Sequence, residues 1–191
     1  MVRFPSAKVV DRFEFHPNTT VVSQSAFAHS KIKNIIFNEK VETFGSQVFA
    51  SWQVENIYVN SKANILTWAI LRLTTNAILH IENNTHVKLY DNAIYDNNFE
   101  RLYGSGKQED GILIIPEGVK YIDCCNNKSI NTIVVPKTMK EIGGHAFPTS
   151  ATTILYCGSE EDWANIVIAE GSETTTKQII EKSNIIYNYN P

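Results

Sequence analysis

Apolar residues recur along this chain on a beat of 22 residues. Steps of apolar, variable, apolar open at Phe13, Ile35, Ile57 and Leu79: Phe13-Glu14-Phe15, Ile35-Ile36-Phe37, Ile57-Tyr58-Val59 and Leu79-His80-Ile81. Within a unit, apolar positions fall at offsets 0, 2, 6, 9 and 14. The first unit gives Phe13, Phe15, Thr19, Val22 and Phe27; the second Ile35, Phe37, Val41, Phe44 and Phe49; the third Ile57, Val59, Ala63, Leu66 and Leu71. Thr19 is the one polar member of that set. Offsets 0 and 2 share a strand face, because strand side chains alternate. Offsets 6 and 9 hold a second short segment against the core, and offset 14 plugs the coil. A single unit cannot bury such a set, whereas stacked units can. The pattern predicts a β-rich repeat solenoid with a parallel β-sheet on one face and short helical or irregular segments on the other.

Residues 1–12 precede the beat, and Pro5-Ser6 makes them read as an extended arm. An N-terminal repeat block follows over 13–103. Its fourth unit slips, because Asn83-Asn84-Thr85-His86 is inserted ahead of Val87, Tyr90 and Tyr95, which then occupy offsets 6, 9 and 14. The next strand is expected near Leu102-Tyr103-Gly104. Residues 104–111 are polar and glycine-rich and read as a loop that divides the array. A C-terminal repeat block over 112–156 resumes with Leu113-Ile114-Ile115-Pro116, Val119 and Ile122, then Ile133-Val134-Val135-Pro136 with Met139, Ile142 and Phe147. The prolines sit just past their strands, where a missing donor does no harm. Gly143-Gly144 is expected to be a turn, and Ile154-Leu155-Tyr156 opens the last unit. Residues 157–191 read as a C-terminal cap. In it, 159–166 form a short helix with Ser159 as N-cap and acidic residues at its positive end. Trp163 and Ile166 pack down onto the last coil, and Ile185-Ile186-Tyr187 closes the sheet edge.

Composition changes this picture little. The chain has 191 residues, 43% hydrophobic and 19% charged, with a net charge of -3. Its 17 Lys and Arg are scattered, so nothing favours nucleic acid or an anionic membrane surface as a partner. No apolar run reaches the length of a membrane-crossing helix or a signal peptide. The expected setting is therefore a virion or cytoplasmic assembly, or a cell surface if a signal sequence has been removed. Three cysteines at irregular spacing, Cys124, Cys125 and Cys157, are no disulfide framework and read as reduced thiols in or near the core.

Several residues resemble the BspA-like leucine-rich repeats. The unit of that family is a strand ending Ile-x-Ile-Pro, then Val, Ile-Gly, Ala-Phe and a Cys-containing turn. Ile115-Pro116-Glu117-Gly118-Val119 matches it, as does the run Val135-Pro136 through Met139, Ile142-Gly143 and Ala146-Phe147. The stretch from Tyr156-Cys157-Gly158 to Trp163-Ala164-Asn165-Ile166, followed by Ile185-Ile186-Tyr187-Asn188, is similar to the ending of such arrays. From 13 to 103 the resemblance rests on spacing. It implies a leucine-rich-repeat-like right-handed coil without catalysis. Members of the family are commonly bacterial surface proteins that bind proteins or cells, and similar modules occur in protists and bacterial viruses.

The middle residue of each strand step points away from the core. That column reads Glu14, Ile36, Tyr58, His80, Tyr103, Ile114, Val134, Leu155 and Ile186. All but Glu14 and His80 are aliphatic or aromatic, so the column is either a covered set of strand formers or a contact surface. The eight positions from Ile36 to Ile186 are the candidate binding residues. Their expected partners are a protein, a second copy of the chain or a glycan. No HExxH, GxSxG, complete phosphate loop or calcium loop is present, so neither enzymatic activity nor a cofactor or metal is expected. Two functions remain open. One is a non-enzymatic binding or adhesion module. The other is a structural component of a larger assembly, such as a phage fibre, tail or capsid-associated protein, docking through its apolar strand face.

Overall fold

The computed structural model describes residues 9–27, 31–45, 54–59, 77–82, 84–125, 127–169 and 176–191. Four strands, β1 (Val9–Glu14), β3 (Lys31–Phe37), β5 (Asn56–Val59) and β6 (Ile78–Ile81), form one sheet in that order. All its pairs are parallel, and the register runs Phe13–Ile35–Ile57–Leu79, the beat read from the sequence. Two short strands, β2 (Val21–Val22) and β4 (Thr43–Phe44), pair beside it. β1 begins at Val9, inside the segment expected to be an arm. Ala63, Leu66, Leu71 and Phe49 lie outside the described residues.

The apolar set does what its spacing requires. Phe15, Val22, Phe27, Ile35, Phe37, Val41, Ile57, Val59 and Leu79 are buried in one cluster. Phe15 stacks on Phe37 of the next coil at 5.0 Å and meets Phe27 edge-on at 5.5 Å, geometries that add to the burial of the rings. Asparagines tie equivalent turns together. Asn38 Nδ2 donates to His16 O at 2.6 Å, one 22-residue step away.

The second half repeats the arrangement on a shorter step. β10 (Ile112–Ile114), β12 (Thr132–Val135), β14 (Thr153–Tyr156) and β16 (Asn184–Ile186) form a second parallel sheet. Its register, Leu113–Ile133–Ile154–Ile185, is tighter than 22 residues until the last step, which spans the cap. β9 (Arg101–Ser105), β11 (Tyr121–Cys124), β13 (Glu141–His145) and β15 (Val167–Ile168) stack as a further parallel ladder. The second face is therefore mostly strand rather than helical or irregular. Leu113, Val119, Ile122, Ile133, Met139, Ile142, Phe147 and Ile154 fill a second core cluster.

Between the clusters stands an antiparallel meander. β7 (Val87–Tyr90) pairs with β8 (Ala93–Asp96), which pairs with β9. The slipped fourth unit is thus no parallel coil. Asp91 and Asn92, with φ of 48° and 51°, make the two-residue hairpin turn, and asparagine and aspartate tolerate that backbone where larger residues do not. Strand alternation then replaces the coil spacing. Val87 is buried, but Tyr90, expected at an inward offset, is exposed. β8 serves both cores, with Ile94 in the first cluster and Ala93 and Tyr95 in the second.

The seam is held by side-chain amides. Asn92 Oδ1 accepts from Leu79 N at 2.8 Å, and Asn92 Nδ2 donates to Lys107 O at 2.8 Å and to Ala77 O at 3.2 Å. Gln108 Nε2 donates to Asp91 O at 2.9 Å, and Asn127 Nδ2 donates to Gly106 O. On the other side Asp110 Oδ1 takes Ile112 N at 3.0 Å. Residues 104–111 were expected to be a loop. Gly104 and Ser105 end β9, 106–111 carry no regular secondary structure, and within that loop Gly106 and Gln108 are buried and tied to both halves. Gly106 must be glycine there, because a Cβ would lie 2.5 Å from both Ala77 O and the Asn92 amide.

A second correction concerns Gly143-Gly144. They lie inside β13 at a register shift between Ile122/Ile142 and Cys124/His145, a bulge rather than a turn. The cap matches its reading more closely. α1 (Glu160–Ala164) is capped by Ser159, whose Oγ accepts from Asp162 N while Asp162 Oδ2 accepts from Ser159 N at 3.0 Å. Trp163 and Ile166 pack on the second cluster, α2 (Gln178–Lys182) adds the buried Ile179, and β16 pairs with β14. Cys124 and Cys125 are buried and Cys157 is partly buried, and none of the three is in a disulfide.

Two outcomes follow from these contacts. Asn92→Ala removes the amide that satisfies three backbone groups and lowers unfolding free energy by about 1–3 kcal/mol; Asn92→Gly, which keeps the turn, separates the loss of hydrogen bonds from backbone strain in denaturant titrations. The Asp162 carboxyl is held below its ordinary value by its bonds to Ser159, with Lys137 adding to the effect. Because this folded-state pKa is depressed, the cap's contribution is present above the ordinary carboxylate value and is lost as pH falls through the lowered one. Thermal unfolding of Asp162→Asn therefore shows a weaker dependence on pH in the acid range than the parent chain.

Candidate functional site

The predicted column divides between three sheets. In the first, Glu14, Ile36, Tyr58 and His80 are register partners in that order. In the second, Ile114, Val134, Leu155 and Ile186 are register partners. Tyr103 belongs to neither. It sits on β9 at a bulge, skipped between the Ile94–Gly104 and Tyr95–Leu102 pairs, and packs against the first core cluster. Its place in the column is corrected on that ground: β9 is the second strand of its unit, not the first. Burial and the nearby Asp96 push the Tyr103 phenol above its ordinary value, against the opposing charge of Arg101.

The first half of the face is polar and aromatic. Tyr58 and His80 stack in parallel with ring centroids 4.2 Å apart. Beneath them runs an amide ladder. Asn34 Nδ2 donates to Asp11 O at 2.9 Å, Asn56 Nδ2 donates to Asn34 Oδ1 at 2.8 Å, and His80 Nε2 lies 3.1 Å from Asn56 Oδ1. Each ring and amide is thus largely engaged by the equivalent residue of the next coil, as cross-strand pairing favours. This ladder was not among the predicted residues, although Asn34 and Asn56 recur one 22-residue step apart immediately before the apolar step.

The second half is apolar. Ile114 is 45% exposed and Ile186 44%, while Val134 between them is 3% exposed and Leu155 is half-buried. Val134 belongs to neither core cluster. Its register partners on the adjacent strands are Ile114 and Leu155. The row is therefore closed in the middle and open at its two ends. Beside it runs a second outward row, Ile112, Thr132, Thr153 and Asn184.

The remaining ladder, from β9 to β15, carries charge. Arg101 Nη1 is 2.5 Å from Asp123 Oδ1 and the Arg101 guanidinium lies 4.5 Å from the Tyr121 ring centre. Lys120 Nζ is 2.5 Å from Glu100. No motif pointed to this face, because its residues belong to the second strand of each unit.

Stacked coils whose outward columns are laid out by register define a β-rich repeat solenoid. The chain belongs to the BspA type leucine rich repeat region family, whose pattern matches in six copies over residues 3–103 and 111–186. Among solved structures it is similar to a leucine rich cell surface protein of Faecalibacterium prausnitzii, at 17% identity and a TM-score of 0.38, over 88% of this chain and 38% of that one. It is also similar to a leucine-rich repeat protein of Eubacterium ventriosum, at 15% identity and a TM-score of 0.43, over 78% of this chain and 54% of that one. The chain thus spans about two fifths and about half of those proteins. No curated protein matches it. Among the described residues no helix is long and apolar enough to cross a membrane.

The burial pattern separates two kinds of substitution on one row. Ile114→Asp and Ile186→Asp leave the folded chain stable to within about 1 kcal/mol, as exposed positions do. Val134→Asp forces a carboxylate between two apolar neighbours and lowers stability by several times that amount, read by urea titration followed by circular dichroism.

Proposed function

We propose that this chain is a non-enzymatic binding module of the adhesion type, and that it engages a protein partner through the apolar row of the second sheet. The observation that supports this most is the alignment of Ile114, Val134, Leu155 and Ile186 in one register row with its ends exposed. A soluble repeat protein gains nothing in its own core from apolar residues at those ends, and such a strip can be buried against a partner. The first sheet adds the amides of Asn34 and Asn56 and the rings of Tyr58 and His80, hydrogen-bonding groups that a protein or a glycan could read. The proposed setting is a cell surface, which is common among members of this family.

The second reading, a structural component that self-associates within an assembly such as a virion, draws on a different observation. Val9 and Val21 are exposed on β1 and β2, the outermost described strands of the first coil. Light scattering after gel filtration separates the two. A binding module elutes as a monomer over a hundredfold range of concentration, whereas an assembly component grows in mass as concentration rises. For the binding reading, the immobilised chain is tested against extracellular matrix proteins and glycans. The Ile114→Asp/Ile186→Asp variant is expected to lose at least about tenfold in affinity for whichever protein binds, about 1.4 kcal/mol. Undiminished binding by that folded variant overturns the proposed role of the row.

A further inference from the structure

The amide ladder of the first sheet has a direction. Its first acceptor is the backbone carbonyl of Asp11, which has no proton to give, so the Asn34 atom facing it at 2.9 Å is Nδ2. That turns Asn34 Oδ1 toward Asn56, which donates from Nδ2 at 2.8 Å. Asn56 then presents Oδ1 to His80 Nε2 at 3.1 Å, and an amide oxygen only accepts. One backbone carbonyl therefore sets both amide orientations and places the proton of a neutral His80 on Nε2. Register explains why the ladder ends on an imidazole. Arg12, Asn34, Asn56 and Ile78 are partners in that order, so β6 has no amide in the row and His80, two residues on, takes the bond.

His80 Nδ1 is consequently a bare acceptor. Neither it nor Tyr58 Oη has a hydrogen-bond partner among the described residues. The His80 ring is half-buried and stacked on Tyr58 with the planes 7° apart, which holds that acceptor in place. Asn34 and Asn56 each keep a second N–H and a second lone pair beyond the ladder, repeated at the strand spacing of about 4.8 Å. Arg12 pairs with Glu14 and Lys33 with Glu55, both at 3.3 Å, so these charges beside the ladder are offset in place. A row of neutral donors and acceptors at that interval suits a ligand whose groups both donate and accept and recur at a similar distance. The hydroxyls of a chain of pyranose sugars do so.

We propose that the first sheet carries a site for a neutral glycan, in which His80 Nδ1 accepts from a sugar hydroxyl and Tyr58 Oη donates to one. Asn34 and Asn56 are positioning residues that fix the His80 tautomer through the ladder. This narrows the protein-or-glycan reading of these groups to a glycan, and it is independent of the apolar row on the second sheet.

Proton–nitrogen correlation spectra of the imidazole at about pH 8.5, where a free histidine is neutral, report which nitrogen carries the proton. The parent is expected to hold it on Nε2. In Asn34→Ala, where Asn56 is free to turn over, a mixture of tautomers is expected. Calorimetric titration with maltohexaose, cellohexaose and mannohexaose reads binding. At least one is expected to bind the parent. His80→Phe keeps the stack on Tyr58 without the acceptor and is expected to bind at least about tenfold more weakly, whereas Ile114→Asp/Ile186→Asp binds as the parent does. A proton on Nδ1 in the parent, an unchanged tautomer in Asn34→Ala, no binding of any of the three sugars, or undiminished binding by folded His80→Phe overturns the proposal. Loss of sugar binding in Ile114→Asp/Ile186→Asp overturns its placement on the first sheet.

Discussion

Ile35 lies between Phe13 and Ile57 because backbone hydrogen bonds hold each coil of the first half one 22-residue step from the next. Every other contact in that half depends on this pairing. It superimposes the aromatic plugs, so that Phe15 meets Phe37. It superimposes the amides, so that Asn34 meets Asn56. It also sets which side chains face outward together. In a parallel ladder a one-residue slip would turn each inward residue outward, and the buried Ile35, Ile57 and Leu79 fix the register against that slip.

The ladder does not run unbroken from end to end. At β6 its next acceptor is an asparagine side chain rather than a strand, and at β10 an aspartate plays the corresponding part. The three-stranded meander fills the space between, facing a different core on each side. Polar side chains do here what backbone does elsewhere. The outward columns follow the same division. They are amide-rich and aromatic in the first half and aliphatic in the second.

Much of this was legible in the sequence because a fixed period turns burial into arithmetic. Strand steps, inward offsets and the helix cap at Ser159 could be placed without coordinates. The fourth unit could not, because Asp91-Asn92 starts a hairpin only when a preceding and a following strand are free to pair, and that depends on β9 rather than on local pattern. Tyr103 was misplaced for the same reason: the apolar step around it looks like a first strand, yet β9 stacks under β11. Gly143-Gly144 misled because glycine marks both turns and bulges, and only the neighbouring Asp123 and Ile122 carbonyls distinguish them. Val134 shows a further limit. Direction along a strand is readable from alternation, but exposure depends on the bulk of residues on the adjacent strands.

The difference in step between the halves bears on how such an array can lengthen. A coil copied from around Ile35 carries a 22-residue period and finds matching ladders on both sides only among β1 to β6. A coil copied from around Ile133 matches only its own, shorter neighbours. At the seam neither fits, since Asn92 and Asp110 already occupy the strand edges that an added coil would need. Gene duplication can therefore extend either half from within, but the join between them is a fixed boundary across which repeats are not interchangeable.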